Sequence, residues 1–305
     1  MAQPALEATT PAPVADRRFL ARLAAAGRWP LLGILPFAIY TVLLLGWPLW
    51  DVAVGAFQTP SGHFTLSNLE IAATGVYRQG FISSLYLSLI TSVVPGVVGF
   101  FVAYAIHTSP HATLLRRLVM TASSVFANFG GIPLAFLFIA SLGTTGLATQ
   151  LLADLGFNLY DHGFSLYGFG GVALVYMYFQ IPLMVVVVTP ALNALRPQWR
   201  EASAGLGAGG FAFWRFVGGP VLLPPVLGAV LLLFGGAMSA YATADALTSG
   251  SIPLVSIQIG SFLNGNVIAG QQNVGKALGL GMVVVVAVAM AFYLVLQRRA
   301  SRWLR

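Results

Sequence analysis

A chain built for covalent chemistry would place an acid, a base or a nucleophile at workable spacing, and this sequence places almost none. It has no Cys, so thiol nucleophiles, thiolate metal sites and disulfides are absent together. His107 and His111 are four residues apart, which on a helix would suit a metal, but Pro110 intervenes and no third ligand is near. They read as part of a solvated loop. His63 and His162 stand alone, and no Ser, His and Asp set converges in sequence order. Gly205-x-Gly207-x-x-Gly210 satisfies the dinucleotide fingerprint in letters only: it follows a Pro/Arg/Glu segment instead of a buried strand, and no βαβ unit surrounds it. A Gly-x-x-x-x-Gly-Lys-Ser/Thr loop does not occur, so this polypeptide cannot cradle ATP in that manner.

What the chain does place is polar groups inside apolar runs, where they are expensive and usually face a bundle interior or a water-filled cavity. These are Asn128, Gln180, Ser239, Tyr241 and Asp245. Asn128 precedes Gly130-Gly131-Ile132-Pro133 and Gln180 precedes Ile181-Pro182, so freed backbone groups need local partners and both helices are expected to bend near mid-membrane. Two readings compete for Asn128 and Gln180: lining a translocation path, or bonding across helices as packing glue worth about 0.6 to 2 kcal/mol each. Asp245 is the best single lure for a cation.

The remaining concentration of chemical character is the segment from Arg196 to Pro220. Pro197 suits a first helical turn and the glycines from Gly205 onward stop the helix, which predicts about two turns and a sharp bend. A second short amphipathic piece, 211–216, leads to Pro220. A helix that short is marginal in water by itself, since isolated helices need roughly 12 to 15 residues, so it requires a partner surface. Trp199, Leu206, Phe211 and Trp214 offer apolar anchors beside Arg200 and Glu201. The alternative is that these aromatics lie in the lipid headgroup zone.

The elements that must hold these residues follow from composition. Of 305 residues, 58% are hydrophobic and 8% charged, against roughly 25% charged in an average soluble domain, which excludes a soluble globule. Leu31 to Trp50 is 20 residues long, enough at 1.5 Å per residue for the ~30 Å hydrocarbon layer. Five further runs pass the same test: 81–106, 118–142, 166–192, 221–247 and 274–296. Strands of a membrane barrel would alternate in polarity, whereas runs such as Val283 to Val286 are continuous. The expected fold class is all-α, a polytopic membrane protein with six transmembrane helices. Residues 1–28 form a basic N-terminus, disordered and Ala/Pro/Thr-rich at its start, 29–297 the membrane domain and 298–305 a basic tail. Gly275-x-x-x-Gly279 is a close-packing motif.

Thirteen of the 15 basic residues fall in the N-terminal segment, the loop with Arg116 and Arg117, the loop with Arg196, Arg200 and Arg215, and the tail. Under the positive-inside rule these segments and both termini are cytoplasmic. The other side carries Arg78 and Lys276 against Asp51, Glu70, Asp154, Asp161 and Asp245. Basic residues at an inner surface serve topology and anionic lipid, so the net charge of +7 is a poor argument for nucleic acid.

Glu201-Ala202-Ser203, Gly207 six residues after the Glu, Val217 and Pro220 resemble the "EAA" loop of ABC importer permeases, with Ser203 in place of the usual second Ala. The six-span layout over residues 31–297, with this loop between spans four and five, is similar to type I importer permeases. Within them, Gly143-Thr144-Thr145-Gly146 and Tyr241-Ala242-Thr243 look most similar to the spermidine/putrescine-type branch. The resemblance implies that the loop 196–220 is a coupling helix seated in a cleft of a separate ATPase subunit, with Arg200, Glu201, Ala202, Ser203, Gly207 and Pro220 forming the contact and its bend. It implies two ATP-binding-cassette ATPase subunits that use ATP and Mg, a second permease subunit, identical or homologous, and an extracytoplasmic substrate-binding protein. It places the chain in a bacterial inner membrane, with no cofactor of its own. The solute is expected to be a polyamine, with phosphonate, ferric iron or sugar as alternatives. An ion-driven carrier would want charged ion ligands at mid-span, and an intramembrane enzyme a clustered acid/base set; neither is visible.

Overall fold

The computed structural model describes residues 29–109, 113–265 and 270–301, without the side chains of 29–33 and 299–301. The expectations for residues 1–28, Pro110, His111 and 302–305 lie outside the described residues. Among the described residues the fold is all-α, with a single isolated β-bridge between Gln58 and Phe64. The chain divides into two units, 1–52 and 53–305.

The first unit is helical throughout its described part. Helix α1 (Trp29–Thr41) passes through a π turn (Val42–Gly46) into α2 (Trp47–Gly55). Pro36 is tolerated inside α1, as prolines are in helices that cross lipid.

In the second unit α3 (Ser67–Ala72) is followed by α4 (Gly75–Thr108), α5 (Thr113–Asn128), α6 (Gly131–Leu142), α7 (Leu147–Asp154), α8 (Phe169–Asn193) and α9 (Pro197–Gly205). Then come α10 (Gly210–Phe213), a π turn (Trp214–Gly218), α11 (Gly219–Ser239), α12 (Ala242–Thr248), α13 (Val255–Leu263) and α14 (Val274–Ser301). At 34 residues, α4 is about 51 Å long and is the post around which the unit is built. Its side chains are distributed inside out relative to a soluble helix. Ser84, Ser88, Thr91, Ser92, Gly96, Gly99 and Ala103 are buried, while Ile82, Tyr86, Leu89, Val93, Val97 and Phe101 are exposed.

That inversion has a physical cause. Lipid tails are as apolar as Leu, so helices associate through close van der Waals approach, which small residues permit. A Cβ on Gly99 would lie 2.6 Å from Met184 Cβ and 2.8 Å from the Ile181 carbonyl oxygen of α8, and one on Gly96 would lie 2.8 Å from Val230 of α11. Tyr86 stacks on Phe169 at 5.3 Å, so α4 and α8 run parallel. The Ser88 hydroxyl faces the Met238 sulfur at 3.7 Å, so α11 runs antiparallel to α4. Helix α5 is antiparallel to α8, tied by Arg116 to Asn193 at 3.2 Å and by Thr189 to Met120 at 3.6 Å. Tyr293 of α14 donates to the Pro224 carbonyl of α11 at 3.3 Å.

Among the described residues six helices are long and apolar enough to cross a membrane: Ile34–Gly55, Gly75–Thr108, Gly131–Asp154, Phe169–Asn193, Gly210–Ser239 and Val274–Arg298. The number agrees with the sequence; two details differ. The expected run 118–142 is two helices, α5 and α6, separated at Phe129-Gly130. The fifth run is interrupted after Ser239. The fourth is one continuous helix through half-buried Pro182, whose missing N–H removes one backbone bond.

Gly99→Leu should force α4 and α8 apart and destabilise the protein by about 1 to 3 kcal/mol, as overpacking does. A drop in the thermal midpoint in detergent, absent for Gly235→Ala where nothing lies within 4 Å, would check it.

Candidate functional site

The loop after α8 forms as the residue types require. Arg196 is extended, Pro197 occupies the first turn of α9, and the helix ends at Gly205. Gly207 adopts φ +77°. Its N–H donates to the Ala204 carbonyl at 2.9 Å and the Ala208 N–H to the Ser203 carbonyl at 3.0 Å, the paired bonds of a glycine-terminated helix end. The interval from Glu201 to Gly207 is therefore one helical turn plus its cap. Ser203 serves this cap through its carbonyl, so Ser in place of Ala leaves the geometry intact.

Helix α9 buries none of its residues. Leu206 is 88% exposed and Phe211 79% exposed, and Trp199, Arg200 and Glu201 are also on the surface. Trp214 is different from the expected anchor: it packs inward, edge-on to Tyr104 at 5.2 Å and to Phe213 at 5.9 Å. The piece 211–216 is likewise no separate element, since Gly210 to Ser239 runs on helically through Pro220. Between α9 and the end of α4 lies a cavity of about 440 Å³, bordered by Tyr104, His107, Arg196, Arg200, Glu201 and Trp214 among others. His107 sits in the last turn of α4, not in a solvated loop, and its Nδ1 is buried with no hydrogen-bond partner.

The polar residues of the spans fall into two places. Asn128 ends α5, about 17 Å along the axis from Arg117, and its amide donates to the Ser124 carbonyl while the side chain stays exposed. The break that follows meets the break in the fifth span. The Gly131 N–H, at φ +73°, donates to Thr243 Oγ1 at 2.9 Å, and the Thr243 hydroxyl lies 3.3 Å from the Gly131 carbonyl. Across from it, Tyr176 of α8 donates to the Ala240 carbonyl at 2.6 Å. Ser239 is exposed beside this junction, and Tyr241 donates to Asp245 Oδ2 at 3.2 Å. Asn128, Ser239, Tyr241 and Asp245 thus flank one junction of two broken helices.

Gln180 follows one turn after Tyr176 on α8; it is 1% exposed and neither amide atom has a hydrogen-bond partner, so it makes no bond across helices. Thr243 and Tyr176 were missed in the sequence. Their signal was a hydroxyl inside an apolar run in a chain with Gly130-Gly131, but which hydroxyl reaches which break is a matter of folding. Among the described residues no group of three His, Asp or Glu side chains could hold a metal ion.

No family model matches the chain. Curated relatives exist and are permeases of ferric, thiamine, sulfate and spermidine/putrescine transport systems. The ferric transport system permease protein FbpB of Actinobacillus pleuropneumoniae is 26% identical over 203 residues, covering 63% of this chain and 28% of that protein. The spermidine/putrescine permease PotC homolog of Mycoplasma pneumoniae is 26% identical over 239 residues, covering 75% and 79%. A chain of the bacterial alginate ABC transporter, solved in complex with an alginate pentasaccharide-bound periplasmic protein, matches with a TM-score of 0.71 at 17% identity over 89% of this chain and 95% of that one. In sequence the chain is similar to permeases of bacterial transport systems, and in fold to a chain of an ABC transporter. It spans 28%, 27% and 52% of the length of the ferric, thiamine and sulfate permeases that it matches.

Thr243→Val should leave the part-buried Gly131 N–H unpaired, a loss of about 1 kcal/mol that Thr243→Ser should avoid; thermal unfolding of both variants in detergent would read it. Gln180→Met, close in volume, should raise stability by a similar amount because it removes an unpaired amide. A lower midpoint for Gln180→Met would mean that the amide has a partner beyond this chain.

Proposed function

We propose that this chain is the membrane-spanning subunit of an ATP-driven importer, and that α9 is the handle by which a separate ATPase moves it. The observation that carries this is a nine-residue helix, capped at Gly207, that buries none of its own residues and is followed by exposed Leu206 and Phe211. Such a helix does not persist on its own propensity, so a second surface must complete it. Arg200 and Glu201 supply polar contacts, and Ala202 and Ser203 keep the helix slim enough to enter a cleft. Pro220 begins the run that transmits motion into the fifth span.

In this reading the arginine-rich end is cytoplasmic, as the positive-inside rule requires, and the membrane is the bacterial inner membrane. The ATPase pair uses ATP and Mg, a second permease completes the path, and an extracytoplasmic binding protein delivers the solute. Closure of the ATPase pair pulls the handles, and differential contacts in two states carry the coupling. The junction of the third and fifth spans is the part of the path that this chain contributes, with Asn128 and Ser239 exposed beside it and Gln180 closed off until the helices shift.

For the solute we favour a cationic polyamine. Of the two curated relatives described, the spermidine/putrescine one matches over the larger share of both chains, and Asp245 with Tyr241 is the acidic group nearest the junction.

Glu201→Arg should separate ATP hydrolysis from uptake. In vesicles holding the reconstituted complex, spermidine uptake should fall about 5- to 150-fold, the usual span of a coupling energy, while hydrolysis persists. Unchanged uptake after Glu201→Arg would remove the handle, and uptake driven by an ion gradient without ATP would remove the importer.

A further inference from the structure

The cavity between α4 and α9 has a composition that ATPase docking does not account for. Its lining comes from the ends of helices that cross the membrane: Thr108 closes α4, Leu195 follows α8, and Phe213 and Trp214 lead into the fifth span. It therefore lies at the depth where hydrocarbon gives way to headgroups. About 440 Å³ is within the range of small-molecule sites. Tyr104, Phe213 and Trp214 give it an aromatic wall, and Arg196 and Arg200 put two guanidinium groups on its border against the single carboxylate of Glu201. Guanidinium is the side chain whose fork of donors matches phosphate oxygens. His107 borders the same cavity, and also a water-sized space beside Arg116, with a buried Nδ1 that no protein group satisfies. Arg116, Arg117 and Arg215 lie at the same end of the bundle, so the local field draws anions.

We propose that this cavity binds the phosphate headgroup of an anionic phospholipid, with Arg196 and Arg200 on the phosphate and the aromatic wall against the glycerol end of the chains. The amphiphile is favoured over a free anion because the lining is mainly apolar and opens where span ends meet. A lipid held there braces α9 against α4, so the stiffness of the handle depends on membrane composition. That consequence rests on the importer reading; the binding itself does not.

The test is a native mass-spectrometry titration of the purified full chain, without any ATPase, using palmitoyl-oleoyl phosphatidylglycerol and the phosphatidylcholine of the same chains. Phosphatidylglycerol should bind more tightly than phosphatidylcholine. Its affinity should fall about 30-fold in the Arg196→Gln/Arg200→Gln double variant, about five-fold for each basic contact, and hold in Arg117→Gln. Ala204→Trp fills the cavity while keeping both arginines and should also release the lipid. Retention of phosphatidylglycerol by Ala204→Trp overturns the site, because the arginines would then be binding lipid from the open surface. Equal affinity for the two lipids overturns it as well. Displacement by equimolar inorganic phosphate overturns the lipid assignment. None of these results bears on the Glu201→Arg uptake experiment, so the two readings fail separately.

Discussion

Inside a bilayer no water is available to a backbone N–H or C=O, and each unpaired group costs several kcal/mol. Continuous helices meet this demand by themselves. Every irregular stretch must borrow a partner from another helix, and in this protein the borrowed bonds mark the places where the fold is specified. The Gly131 amide is met by Thr243 and the Ala240 carbonyl by Tyr176, so the breaks of the third and fifth spans are joined to each other and to α8.

The same absence of water explains the packing. With no hydrophobic gain from putting Leu against Leu in place of lipid, the post α4 turns its small and hydroxylic residues inward and its large apolar ones outward. Ser84 accepts the backbone N–H of Val255 at 2.9 Å, which fastens α13 to α4 beyond the end of the fifth span. Gly99 lets α8 approach until Met184 and the Ile181 carbonyl touch the post. Close contact thus runs along α4 and α8, and the exposed helix α9 follows the C-terminal end of α8.

Against that background Gln180, His107 and α9 stand out. Gln180 and His107 each bury polar nitrogen without a bond, and α9 leads into exposed Leu206 and Phe211. Each is unfavourable in the isolated chain, and the proposed importer, with its second conformation and its partner, accounts for them.

The pattern of residues along the chain was enough to settle the class of fold, the number of apolar spans among the described residues and the short capped helix after α8. Length of apolar runs and the position of arginines respond to the bilayer alone, and the cap at Gly207 is a local matter of one residue's φ. What the linear pattern left open was every relation between distant residues. The break after Asn128 meets the break after Ser239 only because Gly131 and Thr243 bond, and Trp214 turns inward only because Tyr104 waits at the end of α4. Whether Pro182 would interrupt its helix was likewise open, and the helix runs on through it. A periodic signal reports what a residue faces, lipid or protein; which protein atom it faces is fixed by the close approach of helices, and that is decided only when the bundle forms.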